Sequence, residues 1–449
     1  MKLNINLNKA NDCIKKGLYN DAIKLCDEEI NLDPKNSIAW TIKGLANLQM
    51  GNYESSITCN NKALEVNSNL QVAWLNKAVA YKNSWQLKES IFSYKEAIKI
   101  NPKLNTMWIN LARVYETMGN YTESEKCYEY IFKNIDQNDF LAKFNLSLLS
   151  LKKGNFKEGW KNFEFRFYNP FYWKRRFTKW PLLKNLKIIK DKKILVWMEG
   201  GLGDTISFCR YVEKLLELGA HVTYEVPPPL IKIIKTLNPK INYALYKSKE
   251  LDDLDFDFQI PLMSLPLLFD ANLKNVPNKT PYLKADKKLD HYWKLELKKY
   301  FKPKIGLVWS SSSSGRLTKF RSMDIKNLQP IINKQYHYFS LQNSISDSDT
   351  IFLKKNNIIN LGNQNLDNIF AIINNLDLVI SIDTLFAQIA GSLNIPIWVM
   401  VNLDSDWKWL LGRKDSPWHS SMRVYSQKEY NNWTDVIKTI QKELTYFFK

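Results

Sequence analysis

WTIKGLANLQMGNYESSITCNNKALEVNSNLQVAW, spanning 40–74, opens and closes on tryptophan, and Trp108 stands the same interval further on. Gly17, Gly51, Trp85 and Gly119 keep that period, and two positions later so do Tyr19, Tyr53, Leu87 and Tyr121. Self-similarity at this spacing marks a chain assembled from repeated supersecondary units. A unit this small cannot bury its own apolar face, so stacked neighbours must share one continuous core, with Trp and Tyr filling the gaps between helices.

The chain has 449 residues, too many for one compact core, and two to four domains are expected. With 45% hydrophobic, 13% aromatic and 24% charged residues, disorder and collagen-like structure are excluded. The five cysteines, at 13, 26, 59, 127 and 209, form no Cys-x-x-Cys pair, which argues against a disulfide framework or zinc module and for a reducing cytoplasm. Met1–Lys9 has no apolar core of a signal peptide. No apolar run approaches the roughly 18 residues that a membrane span needs. A soluble, cytoplasmic protein is expected.

The repeat resembles the tetratricopeptide (TPR) pattern, with a period of about 34 residues, in which Trp opens the first helix, Gly turns the chain and an aromatic starts the second. Pro34 and Pro102 close repeats where that pattern places proline. Four repeats cover about 3–138, and a fifth, through Leu146, Gly154 and Phe156, drifts as a terminal cap should. The solenoid is therefore assigned to 1–155, with its tryptophans as core packing. Its concave face can bind many partners, and the fold does not choose among them.

From Phe156 to Trp180 the chain reads FKEGWKNFEFRFYNPFYWKRRFTKW, with eleven aromatics and seven Lys or Arg. Interleaved aromatic and basic residues suit a single-stranded nucleic acid. An amphipathic connector over 156–190, docking the solenoid onto the next domain, explains the same run without an RNA-binding motif. A nucleic-acid partner is accordingly not expected.

After Asp191 short apolar runs alternate with helices, the mark of parallel α/β units. Lys193–Met198 is a strand, ending in Glu199-Gly200-Gly201-Leu202-Gly203-Asp204. A helix follows over about Thr205–Leu218, then a strand at His221–Val226. The glycines allow a ligand to approach the backbone at a helix start. No Gly-Lys-Ser/Thr follows, so the loop is not a Walker loop. A second series begins at Lys304–Ser310 and continues through His337–Gln342, Ile358–Leu361, Leu376–Asp383 and Pro396–Val401. Two such Rossmann-like halves, 191–300 and 301–449, place a cleft at the carboxyl ends of their strands. Trp309 and the serines 310–314, Gln342 and Asp383-Thr384 lie at those ends. Asp-Thr there is equally read as a plain helix cap.

The ordered blocks GWKNFEFRF (159–167), EGGLGDTISFCRY (199–211), FDFQIPLMSLP (256–266), KIGLVWS (304–310), FRSM (320–323), LDLVISIDTLFAQIAGSL (376–393) and DWKWLLGRKDSPWHSSMRVY (406–425) resemble bacterial TPR proteins carrying a heptosyltransferase-like domain, similar to glycosyltransferase family nine. That resemblance implies an α-helical TPR solenoid followed by a GT-B fold of two Rossmann-like domains. The N-terminal one would admit the acceptor and the C-terminal one hold a nucleotide sugar. It implies inverting transfer without a bound metal or cofactor, with Asp204 as the base. Donor contacts would come from Gly201, Gly203, Trp309, Ser310, Ser311, Lys319, Arg321, Gln342, Asp383, Thr384, Leu385 and Gln388, with Arg316 in the same basic loop. The acceptor would be a protein or surface glycan selected by the solenoid. The chain departs from the pattern at Gln388, where relatives commonly have His, and in its serine-only loop. An inactive TPR scaffold that binds nucleotide sugar is the other reading.

The net charge is +19. The stretch 1–150 contributes +2 and 191–449 contributes +7, leaving +10 in the short stretch 151–190. This junction is expected to face solvent, an acidic acceptor or a membrane surface, which would place the protein at the periphery of the inner membrane. His419, in the DSPWHSS block, is the histidine expected to face the cleft.

Overall fold

The computed structural model describes residues 5–169, 172, 174–311 and 321–449. The chain forms two compact units, 1–149 and 150–449, each taken by itself below.

The first unit is helical throughout its described residues. Helices α1 (Ile5–Lys15), α2 (Tyr19–Leu32), α3 (Ser37–Met50), α4 (Tyr53–Val66), α5 (Gln71–Asn83), α6 (Leu87–Ile100), α7 (Asn105–Thr117), α8 (Tyr121–Asn134) and α9 (Phe140–Lys152) follow one another. The even-numbered helices α2 to α8 start on the residues that the repeat register marks. Gly17, Gly51 and Gly119 turn the chain at φ 77°, 85° and 77°, a region open to glycine at no steric cost. Trp85 keeps the turn in the third repeat at φ 62°. That conformation costs an L-residue about 1–2 kcal/mol.

The repeated tryptophans are only half-buried, and their role is more specific than filling a core. Trp40 Nε1 donates to Pro34 O at 3.0 Å, Trp74 Nε1 to Ser68 O at 2.9 Å, and Trp108 Nε1 to Pro102 O at 2.9 Å. Each indole thus staples the turn that precedes its own helix. Small residues, among them Ala39, Ala73, Ala78 and Ala112, are fully buried.

The second unit begins with the end of α9 and the short helix α10 (Phe156–Phe163). Strands β1 (Lys193–Trp197), β2 (His221–Val226), β3 (Asn242–Leu245) and β4 (Phe258–Pro261) form a parallel sheet in the order β3-β2-β1-β4. Strands β5 (Lys304–Val308), β6 (His337–Ser340), β7 (Ile359–Asn360), β8 (Leu378–Ile382), β9 (Ile397–Val401) and β10 (Met422–Ser426) form a second, in the order β10-β9-β8-β5-β6-β7. Counted within that half, this is the 3-2-1-4-5-6 order of a dinucleotide fold. The helices are α11 (Leu202–Phe208), α12 (Arg210–Glu217), α13 (Ile231–Ile234), α14 (Leu265–Leu268), α15 (Lys287–Leu297), α16 (Asp347–Lys355), α17 (Leu366–Asn374), α18 (Leu385–Ser392) and α19 (Thr434–Phe447). A TPR solenoid followed by two Rossmann-like halves is the architecture the sequence implied.

Three features differ from the sequence reading. The helix expected over 205–218 divides at Cys209 into α11 and α12. Helix α15, assigned to the first half, packs on the second: Trp293 Nε1 donates to Asn368 Oδ1 at 2.7 Å, and Asp290 Oδ1 accepts from Asn374 and Asn375 at 2.8 and 2.7 Å. The crossing between halves therefore comes before residue 287.

The basic connector also faces solvent less than its charge implied. Leu183 N donates to Gln259 O and Gln259 N to Pro181 O, both at 2.9 Å, so the segment covers the outer edge of β4. Trp160, Phe163, Trp180 and Arg166 are buried. Rings packed in this way are not available to stack on bases.

Candidate active site

In each sheet the strand order reverses beside the first strand, and ligands of open α/β sheets bind there, outside the carboxyl ends. The two reversal points present the loop after β1 with the segment after β4, and the loop after β5 with that after β8.

The loop after β1 is built around Asp204. Gly200 has φ +78°, and a Cβ there would stand 2.8 Å from Asp204 Oδ2. Glycine is thus required for both its conformation and the room it leaves. Asp204 Oδ2 accepts Gly201 N at 2.9 Å, closing the first turn of α11, while Oδ1 lies 3.3 Å from Lys408 Nζ. Gly201 and Gly203 are less constrained, since a Cβ at either would meet its nearest neighbour at 3.7 Å.

Beneath the loop sits Arg166, fully buried. Its guanidinium clasps Glu199 through Nη2–Oε1 at 2.6 Å and Nε–Oε2 at 3.1 Å, and it reaches Glu164 Oε1 at 2.7 Å and Ser264 Oγ at 2.8 Å. Met263 N donates to Glu199 Oε1 at 2.9 Å. Burial raises the Glu199 pKa against the opposing pull of Arg166. The arrangement ties α10, the β1 loop and the segment after β4 into one support for Asp204. Arg176 does the same beside it, donating to both oxygens of buried Glu225 at 2.8 and 2.7 Å. Glu225 stands near the end of β2, where a dinucleotide fold offers a carboxylate to ribose. Here that carboxylate also accepts Met198 N and Lys247 N.

A cleft of about 460 Å³ opens above this support, lined by Phe163, Tyr172, Glu199, Gly200, Gly201, Asp204, Met263, Arg321, Asp406, Trp407 and Lys408. It gathers Gly201, Asp204 and Arg321 from the sequence-derived set. Arg321 Nη1 is 3.6 Å from Asp383 Oδ2, next to the start of α18. Burial pushes the Asp383 carboxyl up, opposed by Lys408 and Arg321. Burial alone would lower the Lys408 pKa, but Asp406, Asp204 and Asp383 outweigh it and hold the ammonium above its usual value. Thr384 starts α18 with its hydroxyl on Ser381 at 2.9 Å, so no side-chain cap closes that helix's first turn. The plain-cap reading of Asp-Thr does not hold at Thr384, and Leu385 opens the helix.

The remaining members lie deeper. Trp309 is 1% exposed and belongs to the core of the second half, so it does not border the cleft as the resemblance implied. Gln342 is buried too, its Oε1 accepting Ser310 N at 3.0 Å and thereby fixing the start of the serine loop. Ser311 N donates to Ser322 Oγ at 3.1 Å. Lys319 and Arg316 lie outside the described residues.

Gln388 is turned inward. Its Oε1 accepts from Ser207 at 2.7 Å and lies 3.2 Å from His419 Nε2. Arg210 Nη1 donates to Pro277 O at 2.6 Å and Trp418 O at 2.5 Å, and Nη2 donates to Tyr282 at 2.7 Å and approaches His419 at 3.3 Å. This network joins α12 to α18 and the 416–419 segment. Burial first, then Arg210, holds the His419 pKa well below its ordinary value, so the ring is neutral. His419 is 1% exposed and does not face the cleft.

Sequence reasoning missed Arg166, Asp406 and Lys408. The last two sit in Asp406-Trp407-Lys408-Trp409, where a lysine between two tryptophans, preceded by an aspartate after a strand, was the available signal. Arg166 lies in the block 159–167, but its own charge did not set it apart from the other basic residues among the twelve in 151–190. Among the described residues no group of three or more His, Cys, Asp or Glu could hold a metal ion, and no helix is long and apolar enough to cross a membrane.

Comparisons with known proteins reach both parts of the chain. The stretches 38–70, 72–104 and 106–129 match a tetratricopeptide repeat family model. Protein FlbA of Caulobacter vibrioides is 22% identical over 334 residues, covering 68% of this chain and 55% of that protein. The chain thus spans about half the length of this curated relative. Among solved structures, MamA has a TM-score of 0.33 at 20% identity, over 37% of this chain and 94% of its own. A glycosyl transferase of family 9 from Veillonella parvula has a TM-score of 0.43 at 14% identity, over 58% of this chain and 91% of its own.

Proposed function

We propose that the second unit is a glycosyltransferase that moves a sugar from a nucleotide-sugar donor to an acceptor hydroxyl. The repeats of the first unit serve protein interaction and help select a protein or glycan acceptor. The observation carrying this reading is the cleft itself, where one carboxylate of the first Rossmann half, Asp204, shares a wall with two cations of the second, Lys408 and Arg321.

Asp204 takes the acceptor proton as the acceptor oxygen bonds to the anomeric carbon. The bond from that carbon to the donor diphosphate breaks, and its electron pair leaves with the diphosphate. Attack on the face opposite the leaving group inverts the anomeric centre. Negative charge grows on the diphosphate, where Arg321, Lys408 and the uncapped start of α18 supply compensation. Donor binding by the second half is supported by Glu225 of the first, which Arg176 and two backbone N–H groups already occupy.

A second reading, a module that binds nucleotide sugar without turnover, is favoured by one observation. Both Asp204 oxygens already have partners, Gly201 N and Lys408 Nζ. The test is incubation with a panel of sugar nucleotides and cell lysate as acceptor source, following donor loss and acceptor mass. The enzyme consumes donor, and Asp204→Asn loses transfer by a factor on the order of 100 or more while retaining donor binding. Binding without consumption would leave the second reading standing.

A further inference from the structure

The loop after β9 is held more firmly than a connection requires. Asp406 opens a single turn over Trp407–Trp409 and accepts Lys408 N at 3.2 Å, and Trp418 Nε1 donates to Lys408 O at 2.9 Å. Trp407 and Trp409 are buried on either side of Lys408. Leu410 follows at φ 55°, ψ 160°, backbone that belongs to glycine and persists in other residues only where the surroundings enforce it. Such outliers gather where a group must be held in one place.

What the turn presents is a single ammonium. Lys408 Nζ lies 3.3 Å from Asp204 Oδ1 and 4.0 Å from Asp406 Oδ1, and its side chain remains 19% exposed to the cleft. A lysine is a compact charge with three donors on a flexible stem, suited to bridging two anions or passing from one to the other.

Resting on the glycosyltransferase reading above, we propose that Lys408 is a positioning residue shared in turn by the base Asp204 and by the donor diphosphate. A diphosphate carries more negative charge than one carboxylate and competes for the same ammonium at close range. As Lys408 moves onto it, Asp204 Oδ1 is released to accept the acceptor proton. Donor binding thereby arms the base, and acceptor activation waits for the donor. Lys408 meets the charge that develops when the diphosphate departs, and returns to Asp204 once the product has gone.

The experiment measures binding of UDP, GDP and ADP by calorimetry, together with steady-state transfer, for the full chain and three variants. Lys408→Met should weaken the best nucleoside diphosphate about tenfold and lower kcat on the order of 100-fold, with acceptor KM unchanged. Lys408→Arg should restore most of the diphosphate affinity. Asp204→Asn removes the competitor for the ammonium and should bind the nucleoside diphosphate more tightly than the wild type. This third variant decides the matter if Lys408→Met fails to fold. A wild type that turns over sugar nucleotide, with Lys408→Met matching it or Asp204→Asn showing no gain in affinity, overturns the role of Lys408 and leaves the enzyme reading intact. A wild type that neither binds a nucleoside diphosphate nor consumes a sugar nucleotide overturns both.

Discussion

Gly200 and Asp204 are bound together by one short distance. A Cβ at residue 200 would stand 2.8 Å from Asp204 Oδ2, in backbone at φ +78°. Gly200→Ala should therefore cost about 1–2 kcal/mol and displace the carboxylate, losing transfer together with stability. Gly201→Ala, whose Cβ meets the same oxygen at 3.7 Å, should keep its urea midpoint close to wild type. Equal midpoints for both variants would refute the steric account. Arg166 makes a similar point about charge, because its ion pair with Glu199 is wholly interior. Arg166→Met strands that carboxylate and should destabilise by about 3–5 kcal/mol, read from the same urea midpoints. Lys174 and Arg175 are exposed. Lys174→Ala and Arg175→Ala should stay within about 0.5 kcal/mol of wild type. In the sequence these three residues belong to one basic run, and Arg166 differs only in falling within the block 159–167. What separates them is the position of Glu199 and Glu164 in space, which no local pattern encodes.

At the scale of elements, β5 to β9 were legible because each is a short apolar run ending in a turn. β3, β4 and β10 were not, since these edge strands mix polar and apolar residues and look like loops, whereas the edge strand β7 was marked by the apolar run Ile358–Leu361. The second helix of each repeat was read to the residue because the turn chemistry repeats, whereas the first starts three residues before the Trp expected to open it, at Ser37, Gln71 and Asn105. The assignment of α15 failed for a different reason. Its place depends on Trp293 reaching Asn368, a contact spanning 75 residues. The network from α12 to α18 also carries a pH dependence. His419 is neutral in the folded protein, while in the unfolded chain it takes a proton near its ordinary value of 6.5. The unfolded state thus binds more protons below that pH, and stability is lost as pH falls, by up to about 1.4 kcal/mol per pH unit from this group. His419→Gln should flatten the slope between pH 6.5 and 5 in thermal or urea unfolding. An unchanged slope would place the titration elsewhere.

For the molecule as a whole, the basic excess of 151–190 changes meaning. Arg166 and Arg176 spend their charge internally on Glu199 and Glu225, so less of the +10 is offered to an anionic surface than the sequence implied. The stretch 434–449 matters out of proportion to its position. Val436, Ile437, Ile440 and Leu444 of α19 are buried in the same core as β5 and β8. Deleting it should abolish the cooperative unfolding transition of the second unit while the helical far-UV signal of the repeats persists, and retention of both signals would contradict this packing.

The indole staples of the first unit have a consequence for how such a chain can change length. Trp40, Trp74 and Trp108 each reach a carbonyl six residues back, at the end of the preceding period. Every seam between cassettes is thus sewn with the same stitch. Cutting at 70/71 and 104/105 opens two such stitches and removes one complete pattern piece, and the new join sets Trp108 six residues after Ser68, the spacing at which the stitch is remade. Evolution can add or drop such pieces by unequal recombination without re-tailoring the seam.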